Sequence, residues 1–223
     1  MICDNISSNQ ASFQAEELGT YHVRVVVTDD TKYRDQKDFD INILPMINTS
    51  TINTTNTGVG CVIRVTPSVK GNIGAVKYSV VASLDNKEQI NIEKTNSYYG
   101  FQANKAGTYA IRVIATDSQG QQKFKDFTVK VQEIQNNCSL SSSATKVNQT
   151  ITINTPHKYG VGIVKVTIKV QKDNGSFTYL HQDKVLESTT YTPKQKGNYK
   201  FVVAMKDAFG NTSKVKTLTL QVT

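Results

Sequence analysis

The chain has no tryptophan and only three histidines, three cysteines, three methionines and four prolines in 223 residues, and each shortage excludes something. Cys3, Cys61 and Cys138 are too few and too scattered for a disulfide scaffold, and none belongs to a Cys-x-x-Cys metal or redox pair. Three unpaired thiols and no metal are therefore expected. No apolar run approaches the roughly 18 residues of a membrane span, so no membrane insertion is expected. Met1-Ile2-Cys3-Asp4-Asn5 carries neither the basic leader nor the apolar stretch of a signal peptide. No Ser, His and acid recur at motif spacing, and neither a Gly-x-Ser-x-Gly elbow nor a phosphate loop is present. The chain is accordingly expected to have no catalytic residues and to use no cofactor.

What is present is a repeat of about ninety residues. Phe13-Gln-Ala-Glu-Glu-Leu-Gly19-Thr-Tyr21 through Asp29 matches Phe101-Gln-Ala-Asn-Lys-Ala-Gly107-Thr-Tyr109 through Asp117. Both match Tyr191-Thr-Pro-Lys-Gln-Lys-Gly197-Asn-Tyr199 through Asp207. After each glycine the residues alternate, with Tyr109, Ile111, Val113 and Ala115 on one side and Ala110, Arg112, Ile114 and Thr116 on the other. That period of two marks a strand. A second alternating run follows each aspartate, at Phe39–Ile43, Phe127–Val131 and Leu218–Val222, so a hairpin closes every repeat.

Further short apolar runs lie upstream in the second and third repeats, separated by Gly, Asn, Asp and Pro clusters and by no helical stretch. About seven such strands per repeat predict an all-β chain of tandem antiparallel β-sandwiches, immunoglobulin- or fibronectin III-like. The expected domains are 46–133 and 134–223. Residues 1–45 hold only the closing half of a repeat, which leaves one apolar face open. The simpler expectation is a truncated repeat of a longer array, the other that these strands are covered by the second repeat or by another chain. The Asn/Thr/Ser-rich segments 48–57 and 135–150 are expected to be exposed linkers.

Tyr21, Tyr109 and Tyr199 stand where many sandwiches place a tyrosine corner, with the ring in the core and the hydroxyl bonded to backbone a few residues upstream. The glycine two residues before each supplies a positive φ at the crossing between sheets. Asp29, Asp117 and Asp207 end their strands with one carboxylate per turn, apart from Asp29-Asp30, and with no Asp-x-Asp-x-Asp run, which favours turn-stabilising Asx roles over calcium ligation. His22, His157 and His181 do not converge.

Charge is uneven. Residues 1–45 carry 4 basic and 8 acidic side chains, residues 46–133 carry 10 and 6, and residues 134–223 carry 12 and 4. By parity, Lys165, Lys169, Lys200 and Lys206 point outward from one sheet of the third repeat. They keep the protein soluble and blunt sheet edges, or alternatively form a face for a cell-wall polyanion or glycan. Nucleic acid is not expected, because no aromatic side chains interleave with these lysines to stack bases.

Tyr-Thr-Pro-Lys-Gln-Lys-Gly-Asn-Tyr-Lys-Phe with its Lys-Asp-Ala-Phe-Gly turn resembles the triple-tyrosine module, also called the two-component-regulator three-Y domain. The Lys77-Tyr78 strand leading to Phe-Gln-Ala-Asn-Lys-Ala-Gly-Thr-Tyr is similar to it in the same way, while the third repeat has Val166 opposite Tyr78. The resemblance spans both complete repeats and the half repeat. It implies an extracytoplasmic, extracellular or cell-surface β-sandwich array in bacteria, placed beside cell-wall enzymes or within sensors, with no catalytic residues to carry over. On that basis the expected function is a non-catalytic spacer or docking module of a larger surface or secreted protein. The expected partner is a cell-wall polymer or surface protein, and apart from the half repeat the chain is expected to be monomeric.

Overall fold

The structure, a computed structural model, describes residues 10–223, and every regular element among them is a strand. Expectations for Cys3 and for Met1-Ile2-Cys3-Asp4-Asn5 lie outside the described residues. By compactness the chain divides into two units. One holds the described residues up to Ser50 with Pro67–Ser79 and Ile114–Lys125, the other Thr51–Thr66, Val80–Val113 and Asp126–Thr223.

In the first unit the half repeat is one hairpin, Gly19–Thr28 against Arg34–Ile43, in unbroken antiparallel register from Gly19↔Ile43 to Thr28↔Arg34. The segment around Phe13 is irregular, although its ring lies 5.6 Å from that of Tyr21. The hairpin's apolar face is largely open: Val25 is 47% exposed, Phe39 43% and Ile41 39%. A fully buried aliphatic side chain contributes about 1.5–3 kcal/mol, so this face forgoes most of what its counterparts gain in the other repeats.

The third repeat is the plainest sandwich. One sheet has the order Ser139–Leu140, Ile151–Asn154, Ser188–Tyr191. The other runs Ala144–Thr145, Lys216–Val222, Gly197–Lys206, Lys165–Lys172, Thr178–Lys184. Between them lies one core in which Ile151 and Ile153 of the first sheet pack with Val166, Ile168, Phe201, Val203, Met205 and Leu220 of the second. The middle repeat has the same plan. Its four-stranded sheet has the order Glu93–Lys94, Tyr99–Gln102, Val62–Thr66, Thr51–Ile52. Its five-stranded sheet runs Asn56–Gly58, Gln122–Gln132, Gly107–Thr116, Lys77–Leu84, Glu88–Ile90. Tyr109, Ile111, Val113 and Ala115 are all buried, as the alternation demands.

The Asn/Thr/Ser-rich segments are not linkers. In residues 48–57, Asn48 and Ser50 are buried, and the chain forms Ile47–Asn48, Thr51–Ile52 and Asn56–Gly58, of which the last pairs in parallel with Lys130–Gln132. Residues 135–150 repeat this with Gln135–Asn136, Ser139–Leu140 and Ala144–Thr145, and Cys138 sits fully buried in the core. Each segment is the opening strand of its sandwich, passing from one sheet to the other. Asn48 Nδ2 donates to the Lys123 carbonyl at 3.1 Å, and Asn136 Nδ2 to that of Val203 at 2.9 Å. A side-chain amide in each repeat thus replaces ladder bonds that a two-residue strand is too short to make.

Candidate functional site

The four lysines singled out in the sequence all lie on the outer face of the third repeat's five-stranded sheet. Lys165 pairs with Lys206, Lys169 with Val202 and Lys200 with Gln171, which puts all four at the same parity. Their inward neighbours, Val166, Ile168, Val170, Phe201, Val203 and Met205, are buried. The arrangement is a stripe rather than a cluster. Lys165 and Lys206 are direct cross-strand neighbours, whereas Lys200 lies six residues along the strand from Lys206, about 20 Å away at about 3.3 Å per residue. That separation exceeds the roughly 8 Å over which exposed charges interact at physiological salt. Lys169, opposite Val202, is a diagonal neighbour of Lys200 on that face, about 7–8 Å away, and its Nζ lies 4.7 Å above the Tyr179 ring. Asp183, on the adjoining strand, accepts from Thr167 Oγ1 at 3.2 Å and puts an acid among the bases.

Tyr109 Oη donates to the Lys105 carbonyl at 3.0 Å, Tyr199 Oη to that of Gln195 at 2.9 Å, and Tyr21 Oη to that of Glu17 at 3.1 Å. Tyr109 and Tyr199 are 2% and 4% exposed, while Tyr21 is only half-buried. Each ring contacts the aromatic eight residues before it, at 5.6 Å for Phe13–Tyr21, 5.5 Å for Phe101–Tyr109 and 5.7 Å for Tyr191–Tyr199. Burial pushes the Tyr109 phenol up from its ordinary value.

The strand-ending aspartates each organise a turn. Asp207 Oδ1 accepts from the Phe209 and Asn211 amides, and Oδ2 from Val161 N and Asn211 Nδ2. Asp117 does the same with Gln119, Gln121 and Ile73, and Asp29 with Tyr33 N and Thr31 Oγ1. Burial pushes the Asp207 carboxyl up, but these donors together hold it below the usual range. With four donors on its two oxygens, the Asp207 carboxylate is occupied by hydrogen bonds from the protein. Among the described residues, no three of His, Cys, Asp and Glu gather where they could hold a metal.

Two further aspartates, in the Asp85-Asn86 and Asp173-Asn174 turns, brace the strand that carries the tyrosine. Asp85 and Asp173, at positive φ in the turn after the third strand of each sandwich, accept from Thr108 N and Asn198 N, both at 2.8 Å. Gly197 sits at φ +142°, and a Cβ there would come within 2.8 Å of the Asp173 carboxylate. The glycine of the Gly-x-Tyr signature is therefore required twice over, by its dihedral and by the acid beside it. Asp-Asn recurs one repeat length apart, at Asp85-Asn86 and Asp173-Asn174, and marks both turns in the sequence. Exposed Arg24–Asp38 and Arg112–Asp126 pairs also recur, with the third repeat placing Val202 and Thr217 in that position.

No protein family matches the chain, and no curated protein does. Among solved structures it is similar to the fibronectin(III)-like modules of Clostridium thermocellum CbhA, at 16% identity over 78% of this chain and 94% of that one, with a TM-score of 0.31. It is also similar to three N-terminal domains of the bacteriophage RB49 highly immunogenic outer capsid protein, at 13% identity over 96% and 81% of the chains, with a TM-score of 0.39. The chicken CNTN1 FN1–FN3 domains align at 13% identity over 88% and 76%, with a TM-score of 0.32. The complete repeats are immunoglobulin- and fibronectin III-like β-sandwiches, by the strand orders given above.

Proposed function

We propose that the chain is a non-catalytic repeat array of the triple-tyrosine kind, an extracytoplasmic spacer or docking module within a larger bacterial surface or secreted protein. One observation carries this: the third repeat is entered and left at opposite ends. Its first strand, Gln135–Asn136, pairs with His157–Lys158 and reaches Val203 and Lys214. Its last strand finishes at Val222, opposite Gly197, with Val147 N donating to the Thr223 carbonyl. The ten-residue Gly197–Lys206 strand spans about 33 Å, so each sandwich so connected adds roughly that much reach. The test is to replace residues 134–223 in the full-length protein with an unrelated sandwich of equal end-to-end length. Activity or adhesion of the attached domains is expected to persist with the substitute and to change when the segment is deleted.

Binding of a wall polyanion through Lys165, Lys169, Lys200 and Lys206 is the second possibility. It is favoured by the direct pairing of Lys165 with Lys206, because like charges across a sheet destabilise it unless something compensates. The distance of Lys169 and Lys200 from that pair, four and six residues along their strands, favours the spacer.

A further inference from the structure

We infer that the middle and third repeats are locked into one rigid pair by a side-chain-free seat at Gly58, so that this part of the array acts as a strut rather than a hinge. The inference rests on the spacer function proposed above and adds to it a mechanical property.

The covalent connection has no slack. The Gln122–Gln132 strand ends and Gln135–Asn136 begins with only Glu133 and Ile134 between them, and Ile134 is buried in the third repeat's core. Beside it, the middle repeat holds its 58–61 loop with its own backbone: Gly60 N donates to the Ala103 carbonyl at 2.7 Å, and Val59 N to that of Gln132 at 3.1 Å. The third repeat presents two loops braced against each other, since Val161 N donates to Asp207 Oδ2 and Ala208 N to the Val161 carbonyl. Asn211 Nδ2 bridges the two repeats, donating to the Val59 carbonyl at 2.9 Å as well as to Asp207 Oδ2. Asn56 Nδ2 donates to Tyr159 Oη at 3.2 Å, and Gln132 Nε2 fixes Asn56 from within the middle repeat.

Gly58 and Gly60 are both buried in this join. A Cβ on Gly58 would overlap the Tyr159 carbonyl oxygen and come within 3.3 Å of Val161 Cγ2. These nearest atoms belong to the third repeat. A Cβ on Gly60 would meet the Phe209 ring at 3.0 Å.

The sandwich fold itself does not ask for glycine at 58. Thr57 pairs with Val131 as Thr145 pairs with Val222, and Val59 N bonds Gln132 as Val147 N bonds Thr223. Gly60 N bonds Ala103 as Asn148 N bonds Pro193. In that frame the third repeat has Lys146 where the middle repeat has Gly58, and Lys146 is exposed. The conformation therefore admits a long side chain, and φ at Gly58 lies outside the left-handed region. What removes the side chain at 58 is the neighbouring repeat.

Gly58→Lys tests this, because it installs at 58 the residue that the same fold already carries at 146. Backbone N–H residual dipolar couplings of the full chain in a weakly aligning medium are the readout. For the parent, amides of the two sandwiches are expected to fit one alignment tensor. For Gly58→Lys they are expected to need two tensors of different magnitude, while core shifts at Ile63, Val65, Ile168 and Val203 stay in place. Should Gly58→Lys disturb the core shifts, Gly58→Ala is read in the same way, with the same expectation of two tensors. A parent that needs two tensors, or a core-intact variant that still fits one, overturns the lock. Either result leaves the spacer function standing, flexible in the first case and held rigid by something other than Gly58 in the second, whereas failure of the sandwich replacement test removes the spacer function and leaves the tensors unchanged.

Discussion

Removing the hydroxyl of Tyr199 isolates the value of a single buried hydrogen bond. In Tyr199→Phe the ring stays in place, keeping its edge contact with Tyr191 at 5.7 Å, and only the donation to the Gln195 carbonyl at 2.9 Å is lost. Net, such a bond is worth about 1 kcal/mol, and water reaches the exposed Gln195 once the donor is gone, which keeps the cost near that value. Tyr199→Ala removes the buried ring as well, and the expected loss rises to about 3–5 kcal/mol. Tyr21→Phe breaks the same bond in the half repeat, where the ring is half-buried and the hydroxyl bonds both Glu17 N and the Glu17 carbonyl within reach of solvent. Its cost is expected to be ~0.5 kcal/mol or less. Because a chain of linked sandwiches does not melt as one two-state unit, native-state hydrogen exchange at individual amides is the suitable assay. A loss of 1 kcal/mol accelerates exchange at the Phe201 and Val203 amides about fivefold. Unchanged exchange in Tyr199→Phe, or a Tyr21→Phe penalty as large as that of Tyr199→Phe, would refute the reasoning from burial.

Three other outcomes follow from the same geometry. Gly197→Ala is expected to destabilise the third repeat more than Gly19→Ala destabilises the hairpin, since both have positive φ but only the Gly197 Cβ meets a carboxylate, as amide exchange would show. The Asn198 amide, then Lys172, hold the Asp173 carboxyl below its usual range. Its folded value is thus lower than its unfolded one, so the stability it contributes is present above about pH 4 and is lost as pH falls through the folded value; Asp173→Asn should flatten that part of an acid titration followed by circular dichroism. Burial pushes the Cys138 thiol up to about 11, so iodoacetamide at pH 8 should leave it unmodified in the native chain and alkylate it after denaturation, as mass spectrometry would detect.

The strands that follow each Gly-x-Tyr glycine were legible because one face of each is continuously apolar. Tyr109, Ile111, Val113 and Ala115 announce a buried face by composition alone, and the strand around them extends from Gly107 to Thr116. The opening strands were not legible. Ile47–Asn48 and Gln135–Asn136 are two residues long, have no room for alternation, and pair with Val69–Lys70 and His157–Lys158 well along the chain. Asn48 and Asn136 look like linker residues until the carbonyls that need their amides are known. The lysine stripe was legible in parity but not in spacing. Alternation puts Lys165, Lys169, Lys200 and Lys206 on one face, whereas the register that makes Lys165 a neighbour of Lys206 and not of Lys200 comes from strand pairing. Gly58 was likewise invisible as a special position, since its requirement comes from a loop of the next repeat.

The central claim, that the array acts through its length and not through its charge, is tested most directly by two variants of equal net charge. In one, Lys165, Lys169, Lys200 and Lys206 are changed to glutamine. In the other, the exposed Lys70, Lys87, Lys123 and Lys130 are changed instead. Both are passed over a cell-wall or teichoic acid matrix in a salt gradient, where retention by scattered charge depends on the total and retention by a site depends on position. Elution of the two variants at the same salt concentration is the predicted result. Earlier elution of the first variant alone would contradict the spacer account and assign binding to the basic face of the third repeat.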